Sequence, residues 1–172
     1  MTGANGITVR EFRDSDAPAV RQLFCDGLMM IEPRAEFRPL WVDYMHLSLK
    51  GDMSDVSVNY YKSGGNFWVA ESPDGSAIVG IVGLQLLEPS VGKIRHMFVA
   101  SDYHRRGIGR LLMAEVEAWA KAHAFSEVIL TASVENEAAV RFYTSLGLER
   151  VELPGVKLWD YMPLVKFVWR WS

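Results

Sequence analysis

The stretch that decides the fold is MFVASDYHRRGIGRLL, Met97 to Leu112, in which an apolar segment gives way to arginines and a Gly-x-Gly. Met97–Val99 is typical of the end of a β-strand, and the apolar residues after Gly109 recur at helical spacing. A strand, a short loop and a helix that begins on glycines are therefore predicted. The first turn of such a helix has N–H groups without intrahelical partners, and its dipole favours an anion.

The residues around this turn are typical of a phosphate-binding loop. Gly107 and Gly109 lack Cβ atoms, so the backbone can approach a ligand closely. The loop also carries three arginines, Arg105, Arg106 and Arg110. Their fixed charges and paired donors suit phosphate. The spacing excludes a dinucleotide motif G-x-G-x-x-G, whose third glycine is Leu112 here, and the triphosphate motif G-x-x-x-x-G-K-S/T is absent. Taken alone, the Gly-x-Gly is also compatible with a loop of solvated arginines.

The composition narrows the class of protein. The 172 residues predict a single domain over 1–172, and a hydrophobic fraction of 49% is enough for a sizeable core. The net charge of −3 disfavours nucleic-acid binding, for which a strongly basic balance is usual. The single cysteine, Cys25, excludes an internal disulfide and lies in an apolar stretch typical of a buried side chain.

Targeting and membrane-spanning patterns are absent from the sequence. The first residues lack the basic and apolar regions of a signal peptide. The longest uncharged apolar run, SAIVGIVGLQLL, is shorter than the ~20 residues that a spanning helix needs. We therefore expect a cytoplasmic protein. The aromatic C-terminal segment could contact a membrane surface, but the alternation of Val165, Phe167 and Trp169 favours a strand that faces the core.

The order of the elements predicts a mixed α/β fold. A first strand is followed by two or three helices, three strands, and then alternating helices and strands that end in two strands. In the second quarter, LWVDYMHLSLK has helical spacing at Leu40, Tyr44 and Leu47, and GDMSDVSVNYYKSGG predicts a short helix. The strand–helix–strand segment at 94–133 requires locally parallel strands. The result is a mixed sheet with helices on its faces.

Two motifs together resemble the GNAT family of N-acetyltransferases. The acyl-CoA signature of that family, Gln/Arg-x-x-Gly-x-Gly/Ala after a strand, stands here as HRRGIG, with His104 at its first position. The second signature is an Asn that begins a helix, followed by Ala, Tyr and Gly-Phe. Asn136, Ala139 and Tyr143 match it, and LGL at 146–148 carries leucine where phenylalanine is usual.

The resemblance implies a fold and a donor. The fold is a mostly antiparallel mixed sheet of about seven strands with a splayed parallel pair and helices on both faces. The activity implied is acetyl transfer from acetyl-CoA to a primary amine, by direct attack in a ternary complex and without a metal. The positions implied in cofactor binding are Met97, Phe98, Val99, His104, Arg105, Arg106, Gly107, Ile108, Gly109, Arg110, Asn136 and Tyr143.

Two catalytic residues are expected. A tyrosine at the position of Tyr143 is the usual proton donor to the leaving CoA thiolate in this family, although its helical spacing also suits a core residue. An amine with a pKa of ~10.4 must lose a proton before attack, and histidine is the natural base near neutral pH. His96 is the best placed of the four histidines, and Glu71 is a second candidate. The other histidines have no metal-type spacing, so no metal site is predicted.

A closer resemblance covers about residues 43–148. The segments DYMHLSLKGDMSDVSVNYYKSGGNFWVAES and IVGIVGLQ are similar to the camello-like branch of the family, which includes cysteine S-conjugate N-acetyltransferases. His96 matches a histidine of that branch. Those relatives have a membrane-spanning insert where this chain has MMIEPRAEFRPLW, so membrane residence is not expected here. The acceptor stays open between a small-molecule amine and a peptide, so a protein lysine or N-terminal acetyltransferase is an alternative function. A non-catalytic acyl-CoA-binding regulator is a further alternative, and the sequence also leaves a homodimer open.

Overall fold

The computed structural model describes residues 6–32 and 34–171. Its helices are α1 (Ala17–Ile31), α2 (Arg38–Lys50), α3 (Ile108–Ala122) and α4 (Glu137–Ser145). Its strands are β1 (Thr8–Glu11), β2 (Asn66–Glu71), β3 (Ile78–Glu88), β4 (Val91–Val99), β5 (Glu127–Ser133), β6 (Glu149–Leu158) and β7 (Met162–Arg170).

Within the described residues, the seven strands form one sheet in the order β1-β2-β3-β4-β5-β7-β6. The pairs β1–β2, β2–β3, β3–β4, β5–β7 and β7–β6 are antiparallel. Strands β4 and β5 are parallel and are connected through α3. A parallel connection of this kind needs a crossover, which the helix provides. The mixed, mostly antiparallel sheet that the sequence predicted is confirmed.

Helices cover both faces of the sheet. The first core contains Leu112 and Val116 of α3, Tyr143 of α4 and sheet residues such as Phe167. The second core contains Phe24 of α1 and Trp41 of α2, together with sheet residues from β2 and β3. A fully buried aliphatic or aromatic side chain of this kind contributes about 1.5–3 kcal/mol to folding. The chain therefore holds the two faces of one sheet between two layers of helices.

The parallel strands β4 and β5 are paired over only part of their length. Among the described residues, the β4–β5 ladder runs from Val91 opposite Glu127 to Lys93 opposite Ile129. The strands themselves continue to Val99 and Ser133. Beyond Lys93, β4 stays paired with β3, while β5 stays paired with β7. The two central strands therefore part, and a cleft opens between their C-terminal halves.

The segment before β2 differs from the sequence prediction. The helix predicted from the spacing of Leu40, Tyr44 and Leu47 is present as α2, but Leu47 is 70% exposed and Trp41 is a buried side chain of this helix. The reason is that α2 packs on α1 and on the β6–β7 turn instead of covering the sheet directly. The predicted short helix that follows is a π-helical turn at Ser57–Tyr61, which buries Tyr60 against Phe67.

Candidate functional site

A β-bulge in β4 places His96 on the α1–α2 face of the sheet. Arg95 lies opposite Gly83 and Phe98 opposite Ile81, so three steps along β4 match two steps along β3. His96 takes up the extra residue with a φ of 50°, in the left-handed region. Side chains normally alternate between the faces of a sheet, but here Arg95 and His96 both approach Asp52, at 3.8 and 2.7 Å.

The Asp52 carboxylate lies at the centre of a buried polar cluster. Its Oδ2 atom is 2.7 Å from Nε2 of His96 and accepts a hydrogen bond of 2.6 Å from the hydroxyl of Tyr60. Burial alone would raise the pKa of Asp52, but the hydrogen bond and charge of His96, the Tyr60 hydroxyl and the charge of Arg95 lower it to about 2. Asp52 is therefore ionised near neutral pH. No motif or spacing in the sequence singles out this residue.

The His96 ring is enclosed by its neighbours. Its side chain is 4% exposed, and its plane meets the ring of Phe24 edge to face with 4.8 Å between centroids. Phe98, two residues along, packs on the same Phe24 ring, and a Cβ at Gly27 would lie only 2.3 Å from the Phe98 ring. The close approach of α1 to β4 at Gly27 thus fixes the aromatic surroundings of the histidine.

The backbone of β4 presents selected groups to the cleft. The N–H of Ala100 donates to the carbonyl of Val79 on β3, with an N–O distance of 2.9 Å. Since successive N–H groups of a strand point to opposite edges, the N–H of Val99 points towards the cleft and that of Phe98 towards β3. The carbonyl of Val99 accepts a 2.8 Å hydrogen bond from Nε2 of His104. His104, which departs from the family motif, thus ties the loop to the end of the strand.

The loop before α3 has the shape of an anion cradle. Gly107 has a φ of 81° and directly precedes the helix, and Arg105 has a φ of 62°. A Cβ at Gly107 would have no heavy atom of the described residues within 4 Å, so this position is open. Ile108, the first residue of α3, is buried with 1% exposure and follows this open position directly. The open space at Gly107 is compatible with the expected close approach of a ligand.

Gly109 has a packing role in addition to the ligand approach that the sequence predicted. A Cβ at Gly109 would lie 3.0 Å from the ring of Phe142 and 3.3 Å from the terminal methyl of Met97. The glycine is thus explained by packing against α4 and β4. This packing also brings the first turn of α3 beside Met97, at the cleft.

The charges of the loop surround the N-terminus of α3. The guanidinium of Arg106 lies over the ring of Tyr103 at 4.8 Å. Nη2 of Arg110 donates to Oγ of Ser145 at the end of α4, at 2.8 Å. Arg105 is exposed beside them. All three arginines remain at the surface, where they can add to the attraction of the helix N-terminus for an anion.

The two residues of the second motif lie on the α4 side of the cleft. Asn136 caps α4 as predicted, since its Oδ1 accepts from the N–H of Ala139 at 3.1 Å. Tyr143 is 8% exposed and packs against Phe142 and Phe167. Burial raises the pKa of Tyr143, so its hydroxyl keeps its proton near neutral pH. Tyr143 can therefore be a core residue and still carry a proton that it could donate.

An aromatic cluster lies on the α1–α2 side, formed by Phe37, Trp41, Tyr44, Trp159 and Tyr161. The rings of Phe37 and Tyr161 stack at 3.6 Å, and Nε1 of Trp41 donates to the Tyr161 hydroxyl at 3.0 Å. Trp159 meets both Trp41 and Tyr44 edge to face. The β6–β7 turn is thereby held on the first part of α2, two segments that are far apart in the sequence.

A charged bridge next to the aromatic cluster links both sides of the cleft. Arg34 contacts buried Glu32 with Nε at 2.6 Å from Oε1, and its Nη2 is 3.1 Å from the carboxylate of Glu135, which precedes α4. The hydrogen bonds from Arg34 lower the pKa of Glu32. The guanidinium lies 4.7 Å above the ring of Phe37. Arg34 therefore connects the α1–α2 segment with the β5–α4 loop.

Other sequence candidates lie away from the cleft. Glu71 lies on β2, which is separated from β4 by β3, and accepts a 2.7 Å hydrogen bond from Nε of Arg10 on β1. Glu71 is therefore not part of this site. Cys25 is half-buried, and burial raises the pKa of its thiol. His46 is exposed, and His123 stacks on Trp119. The residues that the structure describes contain no cluster of three metal-ligating side chains.

The chain is similar to N-acetyltransferases of family 8. It is 34% identical over 113 residues to probable N-acetyltransferase family 8 member 5 of Mus musculus, covering 63% of this chain and 49% of that protein. It is 35% identical over 116 residues to human N-acetyltransferase 8, covering 64% of this chain and 50% of that protein. The chain thus spans about half the length of these curated relatives. In the part of the chain that is described, no helix is long and apolar enough to cross a membrane.

The fold matches solved structures along nearly the whole chain. The PaiA N-acetyltransferase of Thermoplasma acidophilum, solved in complex with coenzyme A, superposes with a TM-score of 0.76 at 14% identity. The superposition covers 93% of this chain and 97% of that one. At this identity the likeness establishes the fold only.

The family is shown by the sequence match itself. The sequence model of the Acetyltransferase (GNAT) family matches residues 29–148. These residues contain the β4 bulge, the cradle before α3, and Tyr143. The match covers most of the chain, and the family 8 relatives confirm the branch that the sequence predicted. The chain belongs to the GNAT family of acetyltransferases.

Proposed function

We propose that this chain transfers the acetyl group of acetyl-CoA to a primary amine by direct attack in a ternary complex. The observation that carries the proposal is the cleft beyond Lys93, where β4 and β5 part beside the N-terminus of α3. An extended chain with amide groups can pair with the exposed strand edge, and an anionic group can reach the helix N-terminus. Acetyl-CoA has both features, and N-acetyltransferase relatives and a CoA-bound fold neighbour support it.

The donor would bind through backbone and through charge. The N–H of Val99, whose carbonyl already accepts from His104, would donate to the pantetheine arm, and the N–H of Met97 would face the thioester, because strand alternation turns both towards the cleft. The N–H groups that follow Gly107 would hold the pyrophosphate, with Arg105, Arg106 and Arg110 adding charge. Phe98 would contribute through its packing on Phe24 and not through its N–H. Asn136 would flank the pantetheine arm from α4.

The chemistry needs a base, an oxyanion donor and an acid. His96 would take the proton of the attacking amine, as histidine can near neutral pH. The N–H of Met97, which strand alternation turns to the same edge as that of Val99, would stabilise the negative charge on the carbonyl oxygen, a type of interaction that is often the largest contribution to catalysis of acyl transfer. Tyr143 would give its proton to the sulfur as the C–S bond breaks, since its raised pKa keeps it protonated.

The acceptor would enter from the α1–α2 face, where the bulge directs His96. The aromatic cluster lies on this face and joins the two segments, 28–65 and 153–163, in which the sequence shows no motif. These segments would set acceptor specificity. No contact in the structure favours a protein acceptor over a small amine, so the proposal stays at a primary amine.

Release of CoA thiol in the presence of amines tests this proposal. The chain is incubated with acetyl-CoA and a panel of an amino acid, an amino-acid conjugate, a polyamine, an aminoglycoside and a lysine-containing peptide, while thiol is followed with a colorimetric reagent. We expect thiol release that depends on at least one amine, and the acetylated amine in the mass spectrum. Acetyl-CoA binding by calorimetry without turnover would favour a non-catalytic regulator, and absence of both would contradict the proposal.

The backbone at Gly107 is expected to be required for donor binding. In the Gly107→Ala variant, the new Cβ meets no neighbour, but a φ of 81° costs an L-residue on the order of 1–2 kcal/mol. Relaxation of the loop would turn the N–H groups away, so we expect the Kd of acetyl-CoA measured by calorimetry to rise about tenfold.

Gly75→Ala is the matched control, because Gly75 also has a positive φ, 69°, and also has open space at its Cβ. It lies in the turn between β2 and β3, away from the cleft. We expect a similar loss of thermal stability with an unchanged Kd. Equal effects of the two variants on the Kd would show that the cradle does not bind the donor.

Tyr143→Phe is expected to lower kcat by about 100-fold, the low end of the usual range for loss of a general acid, without weakening acetyl-CoA binding. The ring contacts with Phe142 and Phe167 are retained in this variant. Steady-state kinetics with the best amine of the panel, together with the Kd of acetyl-CoA, provide the test. An unchanged kcat with a raised Kd would mean that Tyr143 is structural.

A further inference from the structure

We propose that Asp52 is a positioning residue for acetyl transfer: it holds His96 in the one tautomer and orientation in which Nδ1 can take a proton from the acceptor amine. This inference rests on the proposed function and deepens it. The inference is based on three segments that meet at the Asp52 carboxylate. These are the loop after α2, the π-helical turn and the β4 bulge.

The tautomer follows from the hydrogen bond. Oδ2 of Asp52 lies 2.7 Å from Nε2 of His96. An ionised carboxylate can only accept, so Nε2 must carry the hydrogen. Nδ1 of a neutral His96 is then the nitrogen with the lone pair. A carboxylate that fixes an imidazole through one nitrogen and leaves the other to act as base is the arrangement used in hydrolase triads.

The carboxylate is itself fixed in place. Tyr60, which is fully buried in the π-helical turn, donates to the same Oδ2 atom at 2.6 Å. The ring of His96 packs edge to face on Phe24 of α1, and rotation of the imidazole would displace this core side chain. The restraint therefore acts on both members of the pair.

The charged and titratable groups around the pair come from three elements. β4 contributes Arg95, 3.8 Å from the carboxylate, and Lys93, whose pKa is lowered by burial and by the charge of Arg95. The π-helical turn contributes Tyr60, and α2 contributes Tyr44, a second titratable hydroxyl near Tyr60. α1 contributes the uncharged ring of Phe24. Asp52 is the anion among these groups, and it would stabilise an imidazolium at His96.

Two unfavourable features of the backbone coincide at this cluster. His96 has a positive φ in a bulge, and Tyr60 lies in a π-helical turn. Such features cost free energy and are concentrated at functional sites. An apolar core could fill the same space at lower cost than a buried charged pair. Retention of the charged cluster with this geometry is what a base and its positioning residue require.

In the proposed step, the neutral amine, which has released its ammonium proton to solvent, forms a bond from its nitrogen to the acetyl carbon and loses one further proton to Nδ1 of His96. The imidazole becomes an imidazolium beside the Asp52 anion. The bond between carbon and sulfur breaks, and the thiolate takes the proton of Tyr143. Exchange with solvent then returns a proton to Tyr143 and removes one from His96. The net products are the amide and CoA thiol.

The test is Asp52→Asn in the full chain, with the best amine from the panel. The carboxamide can donate or accept, so it no longer fixes the tautomer, and it carries no charge to favour the imidazolium. We expect kcat/KM for the amine to fall on the order of 100-fold at neutral pH, with the Kd of acetyl-CoA unchanged. The pH profile of kcat/KM should also change, because the carboxylate charge 2.7 Å from the imidazole is lost.

A structural control separates this role from loss of stability. Asp16 is also a buried carboxylate, held by Arg10 at 2.7 Å and by the N–H of Arg13 at 2.8 Å, at the start of α1. We expect Asp16→Asn to lower thermal stability without moving the pH profile. If Asp16→Asn and Asp52→Asn change the pH profile equally, or if neither changes it, the inference is overturned.

A double-variant cycle tests whether Asp52 acts through His96. In the His96→Gln background, adding Asp52→Asn should change kcat/KM by less than about twofold, since the base is already absent. A further 100-fold loss in that background would mean that Asp52 acts independently of His96 and would overturn the inference.

A spectroscopic readout keeps the inference testable apart from turnover. The nitrogen chemical shifts of the ¹⁵N-labelled chain above the titration range of His96 should report the Nε2–H tautomer, and Asp52→Asn should mix the two tautomers. An Nδ1–H tautomer in the unmodified chain would overturn the inference even if acetyl transfer is observed. If the expected tautomer is found but no amine is acetylated, the proposed function fails and the role of Asp52 in catalysis fails with it.

Discussion

The incomplete pairing of β4 with β5 is the constraint on which the rest of the structure depends. The ladder between them ends at Lys93, while β4 remains bound to β3 and β5 to β7. Backbone groups that lose a strand partner need another partner. At the same point the chain turns into α3 through Gly107, and the packing of Gly109 against Met97 holds the first turn of the helix beside the strand edge. One local parting of strands thus brings an amide-binding edge and an anion-binding helix end together.

The bulge at His96 places the candidate base on the α1–α2 face of the sheet. Without the extra residue, Arg95 and His96 would point to different faces; with it, both approach Asp52. The donor site and the candidate base then lie on the same strand, one at its edge and the other on its face. This arrangement allows an amine to arrive from the α1–α2 side while the thioester lies in the cleft.

Patterns with a local physical cause predicted much of this architecture. The glycines before α3, the Asn136 cap and the crossover between parallel strands are local or depend on short spacings, and each is present as expected. The buried face of α2 was missed, because Trp41 is buried by Trp159 and Tyr161 from the other end of the chain. The packing role of Gly109 was also missed, because the space at its Cβ position is needed by Phe142 from α4. Asp52 was missed for the same reason, since its partner lies 44 residues away. A bulge that adds one residue leaves no mark on alternation strong enough to detect from a single sequence.

A crystal structure of the chain with bound CoA tests the central claim most directly. The account predicts that the pantetheine arm lies between β4 and β5, with an acceptor atom about 2.9 Å from the backbone nitrogen of Val99, and that the pyrophosphate contacts the N–H groups after Gly107. CoA bound elsewhere on the chain, or a Val99 N–H that remains directed away from the ligand, would contradict it.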